Sequence, residues 1–229
     1  MAGVDQVMSA TSGWIARVER VSTTEHVLRN LRLAIVSGEL AQGEQLREVQ
    51  LAAELGTGRG AVREALRHLV QEGLVEHRVH HGAFVRSIDS EDVLDVYCAR
   101  EAIETAALEA ICAASGPPDF APLEECIERM RAAAAQDGGS WRRMVEADVS
   151  FHESLVALSG RPRLVRMYAT LAAETLMHLY RYPPYPVGRN LADHEELLAA
   201  IKTRSAEAVE LLRTHLRFSA ELAADWLGP

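Results

Sequence analysis

The stretch that most restricts the fold runs from Gln45 to Arg86. A short amphipathic segment of helical period, read over residues 46–55, ends at Leu55. The turn Gly56-Thr57-Gly58 follows, and a second helical segment opens with Arg59 and Arg63 one turn apart on one face. That order is the pattern of a helix-turn-helix. Gly73 stops the second helix, and Leu74–Arg78 with Ala83–Arg86 read as two strands around the turn Val79-His80-His81-Gly82, which adds a hairpin wing. A helix that places N-terminal arginines in a major groove reaches guanine edges, while backbone and wing groups grip phosphate. The expectation is a DNA-binding regulator.

A formal charge of −9 on 229 residues argues against that until it is divided along the chain. Residues 1–88 balance 10 basic side chains against 10 acidic ones, so the whole acidic excess lies beyond them. A neutral N-terminal unit with grouped arginines still binds phosphate, because the local field governs contact, and the acidic remainder discourages promiscuous binding. The split also argues for two domains. No run of about eighteen apolar residues occurs, and Met1–Gly13 lacks the cationic start and apolar run of a signal peptide, so the reading is cytoplasmic with no membrane partner. Cys98, Cys112 and Cys126 are odd in number and widely spaced, which predicts reduced, buried thiols.

Along the chain, residues 1–20 have weak periodicity and read as a loosely held tail. From Ser22 to Ser37 the positions Val27, Leu28, Leu31, Ala34 and Ile35 follow helical spacing, with Ser22 or Thr23 as cap and Gly38 as stop. After the hairpin, a long helix is predicted from Ser90 to about Ser115. Further helices follow over roughly 119–136, 140–159, 162–181, 189–203 and 205–227, broken by Gly116-Pro117-Pro118, Asp137-Gly138-Gly139, Gly160-Arg161-Pro162 and Tyr182-Pro183-Pro184-Tyr185-Pro186. No strand pattern appears among them, which predicts an all-helical bundle able to enclose a pocket.

The sequence resembles the GntR superfamily of bacterial transcription regulators, and within it the FadR-like branch with an FCD-type C-terminal ligand domain. The resemblance covers about residues 22–227. It rests on Leu51-Ala52-Ala53-Glu54-Leu55-Gly56, Arg59, Val62-Arg63-Glu64-Ala65-Leu66, Gly73-Leu74-Val75 and the wing Gly82. In the second part it rests on Arg100 with Glu104, Asp148 with Phe151-His152, the Ser159-Gly160 turn, His194 and His215-Leu216. The chain departs from the family in having Gly58 and Gly60-Ala61 where many relatives carry Ser and Thr-Pro, and in lacking the arginine that relatives often carry in the helix-turn-helix entry segment at about Val49. DNA contact is therefore carried over to Arg59 and Arg63, and further to Arg47, His81 and Gly82.

Asp148 and His152 stand four apart on a predicted helix, so both project from one face and can meet one ion, although such a pair is also an ordinary surface hydrogen bond. The resemblance directs His194 and His215 into the same interior. Three imidazoles and a carboxylate suit a divalent transition metal such as zinc or nickel, with positions left for water or a ligand carboxylate. The resemblance also turns Arg100 toward an effector, and a guanidinium fork suits a small organic acid; the competing reading is a salt bridge to Glu104. His178, Arg181 and Tyr182 read first as packing or surface residues, with a cavity-lining role as the alternative. Gly56-Thr57-Gly58-Arg59-Gly60-Ala61, with Glu76 twenty residues on, mimics a dinucleotide fingerprint, but neither the preceding strand nor a βαβ repeat is present.

These readings combine into a mainly α chain: an N-terminal winged helix-turn-helix with a small β-hairpin wing at 22–86, then an all-α effector, metal-binding and dimerisation domain at 90–228. The expected function is a ligand-responsive repressor that binds double-stranded operator DNA as a homodimer, since two half-sites multiply discrimination. The alternative is a metal-dependent, hydrolase-like helical enzyme with an appended nucleic-acid module. Against it, no H-E-x-x-H or G-x-S-x-G motif occurs.

Overall fold

The computed structural model describes residues 22–116, 118–135, 140–181 and 186–227. The first helix, α1 (Thr23–Val36), begins at a capping box in which the Ser22 hydroxyl accepts from the Glu25 amide while the Glu25 carboxylate accepts from the Ser22 amide. Its buried face is Val27, Leu31 and Ile35, at the spacing read from the sequence, and it packs on α3.

A two-residue strand, β1 (Gln45–Leu46), leads into α2 (Glu48–Glu54) and α3 (Arg59–Gln71). The hairpin β2 (Val75–Arg78) and β3 (Gly82–Val85) completes a three-stranded antiparallel sheet in the order β1-β3-β2. Two expectations change here. Helical period was read from residue 46, but Gln45 and Leu46 pair with Phe84 and Ala83, because an open edge of β3 is filled by backbone hydrogen bonds and Leu46 is buried beneath it. Gly82, read as a turn residue, is the first residue of β3; the turn itself is Val79 to His81, with His80 in the left-handed region at φ 64°.

Among the described residues six helices follow: α4 (Ser90–Ala113), α5 (Ala121–Ala134), α6 (Trp141–Leu158), α7 (Pro162–Leu179), α8 (Val187–Thr203) and α9 (Ala206–Leu227). The central helix is α4, packed against α9, α7 and α6, while α5 lies against α6 and α8. The central position explains why α4 buries Arg100 and Glu104 beside Val96, Ile103 and Leu108. No described helix is long and apolar enough to cross a membrane.

The winged unit rests on the bundle at α7. Arg86, just past β3, bridges Glu174 on α7 and Asp92 on α4, and Thr170 donates to the Gln71 carbonyl at 3.4 Å. Gly73 holds φ 73° against the Glu174 carboxylate. The expected burial of the cysteines holds for Cys126 alone: Cys112 is half-buried and Cys98 exposed, and none forms a disulfide. The predicted breaks at 137–139 and 182–185, the tail at 1–20 and Tyr182 lie outside the described residues.

Candidate functional site

Two assemblies of polar side chains stand out, one on each part of the chain. On the winged unit, α3 begins at Arg59, so Arg59 and Arg63 occupy its first two turns, both exposed. Arg63 donates from Nη2 to Glu48 Oε2 at 2.8 Å, and its Nε reaches both carboxylate oxygens. Arg47, Arg63 and Gly82 line one groove between α3 and the wing, together with Arg67 and His77, which the sequence reading did not single out. Arg67 was in principle visible, four residues beyond Arg63. His81 is exposed on the turn, and its carbonyl accepts from Gln45 Nε2 at 2.7 Å, which ties the tip of the wing to β1. The dinucleotide-like glycines fall between two helices, not after a buried strand.

Inside the bundle, α6 supplies Asp148 and His152, α8 supplies Asn190 and His194, α9 supplies His215 and α4 supplies Arg100 and Glu104. One nitrogen from each of His152, His194 and His215 lies within 4.8 Å of the others. The His152 and His194 Nε2 atoms are 3.4 Å apart, and the His194 and His215 ring centroids 4.7 Å apart. Asp148 is beside this trio rather than within it: its Oδ1 is 3.3 Å from His194 Nε2 and accepts from Asn190 Nδ2 at 3.1 Å. Arg100 is fully buried; it donates from Nε to Glu104 at 2.9 Å, the ion pair expected as the competing reading, and it also lines the cavity beside the histidines.

The hydrogen bonds fix which histidine nitrogens are available. His152 Nδ1 faces Glu104 Oε2 at 2.6 Å, and His194 Nδ1 faces the Asn190 carbonyl at 2.8 Å. A carboxylate and a carbonyl only accept, so both Nδ1 atoms donate, and in the neutral, metal-binding form of each ring Nε2 carries the lone pair. Two lone pairs and the Asp148 carboxylate thus converge in a buried space, an arrangement that repels itself unless a cation lies among them. Ligands of one zinc ion at about 2.0–2.1 Å stand about 3 Å apart, comparable with the spacing found here. Asn190 Oδ1 is a further buried acceptor with no hydrogen-bond partner among the described residues. The donor set therefore fits a divalent ion.

Burial sets the protonation of the site. It lowers His194 and takes His215 well below the ordinary imidazole range, with the neighbouring histidines adding to the effect at His215. Burial opposes ionisation of Glu104, but His152 and Arg100 beside it outweigh that and hold its carboxyl at about 2. Tyr168 completes the cluster by donating to Glu104 Oε1 at 2.8 Å. Tyr168, the second role of Glu104 and Asn190 were all missed in the sequence; of these only Asn190 had a local signal, standing four residues before His194 on α8. His178 is buried and stacked obliquely on Tyr97, 5.6 Å between ring centroids, while Arg181 is exposed; neither lines the cavity.

Comparison with known proteins agrees with both halves. The profile described as "Bacterial regulatory proteins, gntR family" matches residues 23–85, and that of the FCD domain matches residues 95–218. The chain is 29% identical over 209 residues to the "Probable D-xylose utilization operon transcriptional repressor" of Paenarthrobacter nicotinovorans, covering 91% of this chain and 90% of that protein. It is 32% identical over 194 residues to an HTH-type transcriptional regulator in an unstable DNA locus of Streptomyces ambofaciens, covering 82% and 79%. A solved structure from Rhodococcus sp. RHA1, assigned as a transcriptional regulator GntR, superposes with a TM-score of 0.76 at 26% identity, over 88% of this chain and 97% of that one.

Proposed function

Since the chain belongs to the gntR family of bacterial regulatory proteins and carries an FCD domain, we propose that it is a cytoplasmic repressor whose grip on operator DNA is set by a metal-assisted carboxylate site. That the chain is a transcription regulator and not an enzyme follows from the family, which sets aside the hydrolase alternative. The finer reading divides it into a winged unit at 22–86 and an effector domain at 90–228. The two winged units of a homodimer would address two operator half-sites.

In this reading Arg59 and Arg63 meet base edges or the phosphates beside them, with Arg47, His81 and Gly82 contacting the backbone across the groove. His152, His194, His215 and Asp148 hold one divalent ion, zinc or nickel. When bound, that ion supplies a Lewis-acidic position open to an anionic oxygen. Glu104 holds the His152 ring in the tautomer that presents Nε2, and Asn190 does the same for His194 through its backbone carbonyl. Arg100, with Nε on Glu104 and with Tyr97 and Tyr168 beside it, lines the cavity with its guanidinium, which would meet an effector carboxylate there. The repressor role is supported by the similarity to the P. nicotinovorans relative, a probable operon repressor.

The observation that carries this reading is the cluster of three imidazoles, two of which, His152 and His215, line one cavity together with Arg100 and Asp148. Only an effector that prefers one dimer arrangement over another can shift operator binding, so the site must differ between the DNA-bound and free forms. Equilibrium dialysis of the full-length protein against nickel or zinc is expected to give one ion per chain, and His152→Ala or His194→Ala to abolish it. Absence of bound metal in the wild-type protein would remove the reading.

A further inference from the structure

The cavity beside the histidines has a volume of about 250 Å³. The innermost of its polar lining is buried, Arg100 and His152 being each 1% exposed, while Asn190, Asp193 and His215 are half-buried. Toward solvent the wall changes character. Phe218, Leu222 and Trp226, about four-tenths to a half exposed, follow one another a turn apart on α9, and Trp141, Val145 and Leu179 stand with them around the same space. Trp141 donates its indole N–H to the Leu179 carbonyl at 3.0 Å, so its polar atom is already engaged within the protein. At 1.5 Å of rise per residue, the α9 face from His215 to Trp226 extends about 16 Å, with a cation-attracting end and a hydrocarbon end.

From this polarity we propose that the effector is an amphipathic monocarboxylic acid, its carboxylate held by Arg100 and its apolar body lying along Phe218, Leu222 and Trp226. The proposal rests on the carboxylate site inferred above and specifies the rest of the molecule. A cavity of about 150 Å³ takes a benzene ring, so the space here holds a ring with a short linker and its carboxylate. A polyhydroxylated sugar acid fits the chemistry poorly. Asn190 and Asp193 on the α8 side and Ser219 on α9 can meet a few ligand hydroxyls, but each further hydroxyl laid against the indole and alkyl groups of the α9 wall gives up water without gaining a partner. A dicarboxylate is disfavoured as well, since Asp193 lines the same cavity and would face the second negative charge.

The test is isothermal titration of the full-length, nickel-supplied protein with 3-phenylpropionate and with gluconate, two monoanions that differ in the body attached to the carboxylate. The expected result is at least about tenfold tighter binding of 3-phenylpropionate, with a negative heat-capacity change from apolar burial. Leu222→Ala is expected to weaken 3-phenylpropionate about fivefold and to leave acetate binding unchanged; because Leu222 is exposed, the variant folds. Gluconate binding as tightly as 3-phenylpropionate overturns the apolar-body proposal and leaves the carboxylate site standing. Binding of neither acid overturns both. Unchanged 3-phenylpropionate affinity in Leu222→Ala, or loss of dimer in its place, removes the α9 stripe from the ligand site and overturns the proposal.

Discussion

Glu104 accepts from His152 at 2.6 Å, a buried carboxylate on α4 reaching a buried imidazole on α6. The same carboxylate neutralises Arg100 and accepts from Tyr168, so one side chain serves the cation, the ring and the phenol together. Removing it strands a buried guanidinium. Glu104→Ala is expected to cost about 3–5 kcal/mol of stability, the usual consequence of breaking a buried ion pair from one side. Glu104→Gln retains an acceptor for the His152 Nδ1–H but loses the charge, and should lower metal affinity about 10- to 100-fold. Chemical denaturation and metal titration of the two variants check the prediction. Wild-type metal affinity in a folded Glu104→Ala would show that the His152 tautomer does not depend on this contact.

On the winged unit, Arg63 is held by Glu48 in the free protein, which has two consequences for DNA binding. Arg59→Ala and Arg63→Ala should each weaken operator binding by about 1–3 kcal/mol without disturbing the fold. Glu48→Gln should strengthen it, because the exposed pair contributes little to stability and its carboxylate competes with phosphate for Arg63. Fluorescence anisotropy at fixed salt on one operator fragment distinguishes these outcomes. Equal affinity in wild type and both arginine variants would remove α3 from the groove.

Gly73, at the joint between the two parts, and Gly38, just past α1, form a matched pair of left-handed glycines, at φ 73° and 79°. A Cβ at Gly38 meets nothing within 4 Å, whereas one at Gly73 would stand 2.5 Å from Glu174 Oε1, itself bonded to Arg86, and 3.0 Å from Thr170 Cγ2. Gly38→Ala therefore measures backbone strain alone, about 1–2 kcal/mol. Gly73→Ala should cost more than Gly38→Ala, as the carboxylate that docks the winged unit on α7 is displaced. Thermal unfolding of the two variants side by side gives the comparison; an equal loss would mean that Glu174 moves aside freely.

Periodicity and punctuation made most of this fold legible. The capped start at Ser22, the glycine stops at Gly38 and Gly73 and the prolines between helices are local signals, and the helices observed follow them. What local signals could not show was pairing at a distance. Gln45–Leu46 is too short to carry a strand period, and it is a strand because β3 lies beside it. The same limit applies to the site. Asp148 and His152 announce themselves by i,i+4 spacing, yet nothing in the sequence brings Tyr168 of α7 to Glu104 of α4, 64 residues away. The cavity's apolar end was hidden for a related reason: Phe218, Leu222 and Trp226 have the spacing of any core-facing helix, and their exposure is a property of the assembled bundle.

The buried histidines give the protein a directed response to acid. His178 is lowered to about 3 by burial, with Arg100 adding to the effect, and burial also lowers His194 and His215. Each is neutral in the folded chain near pH 7 and protonates at about 6.5 once unfolded, so below that value the unfolded state binds more protons and stability falls with pH. For each such histidine the slope approaches about 1.4 kcal/mol per pH unit between its unfolded and folded values. Glu104 stays ionised until about 2 and adds nothing in this window, while Glu174, raised by burial, offsets part of the loss above its ordinary 4.5. Denaturation of chelator-treated protein at pH 7, 6 and 5 is therefore expected to show decreasing stability. His178→Gln should flatten the profile by one histidine's share. Added nickel should steepen it, since protons and metal compete for the same imidazoles. A profile that is level from pH 7 to 5 in the metal-free protein would mean that these rings open to water before they charge.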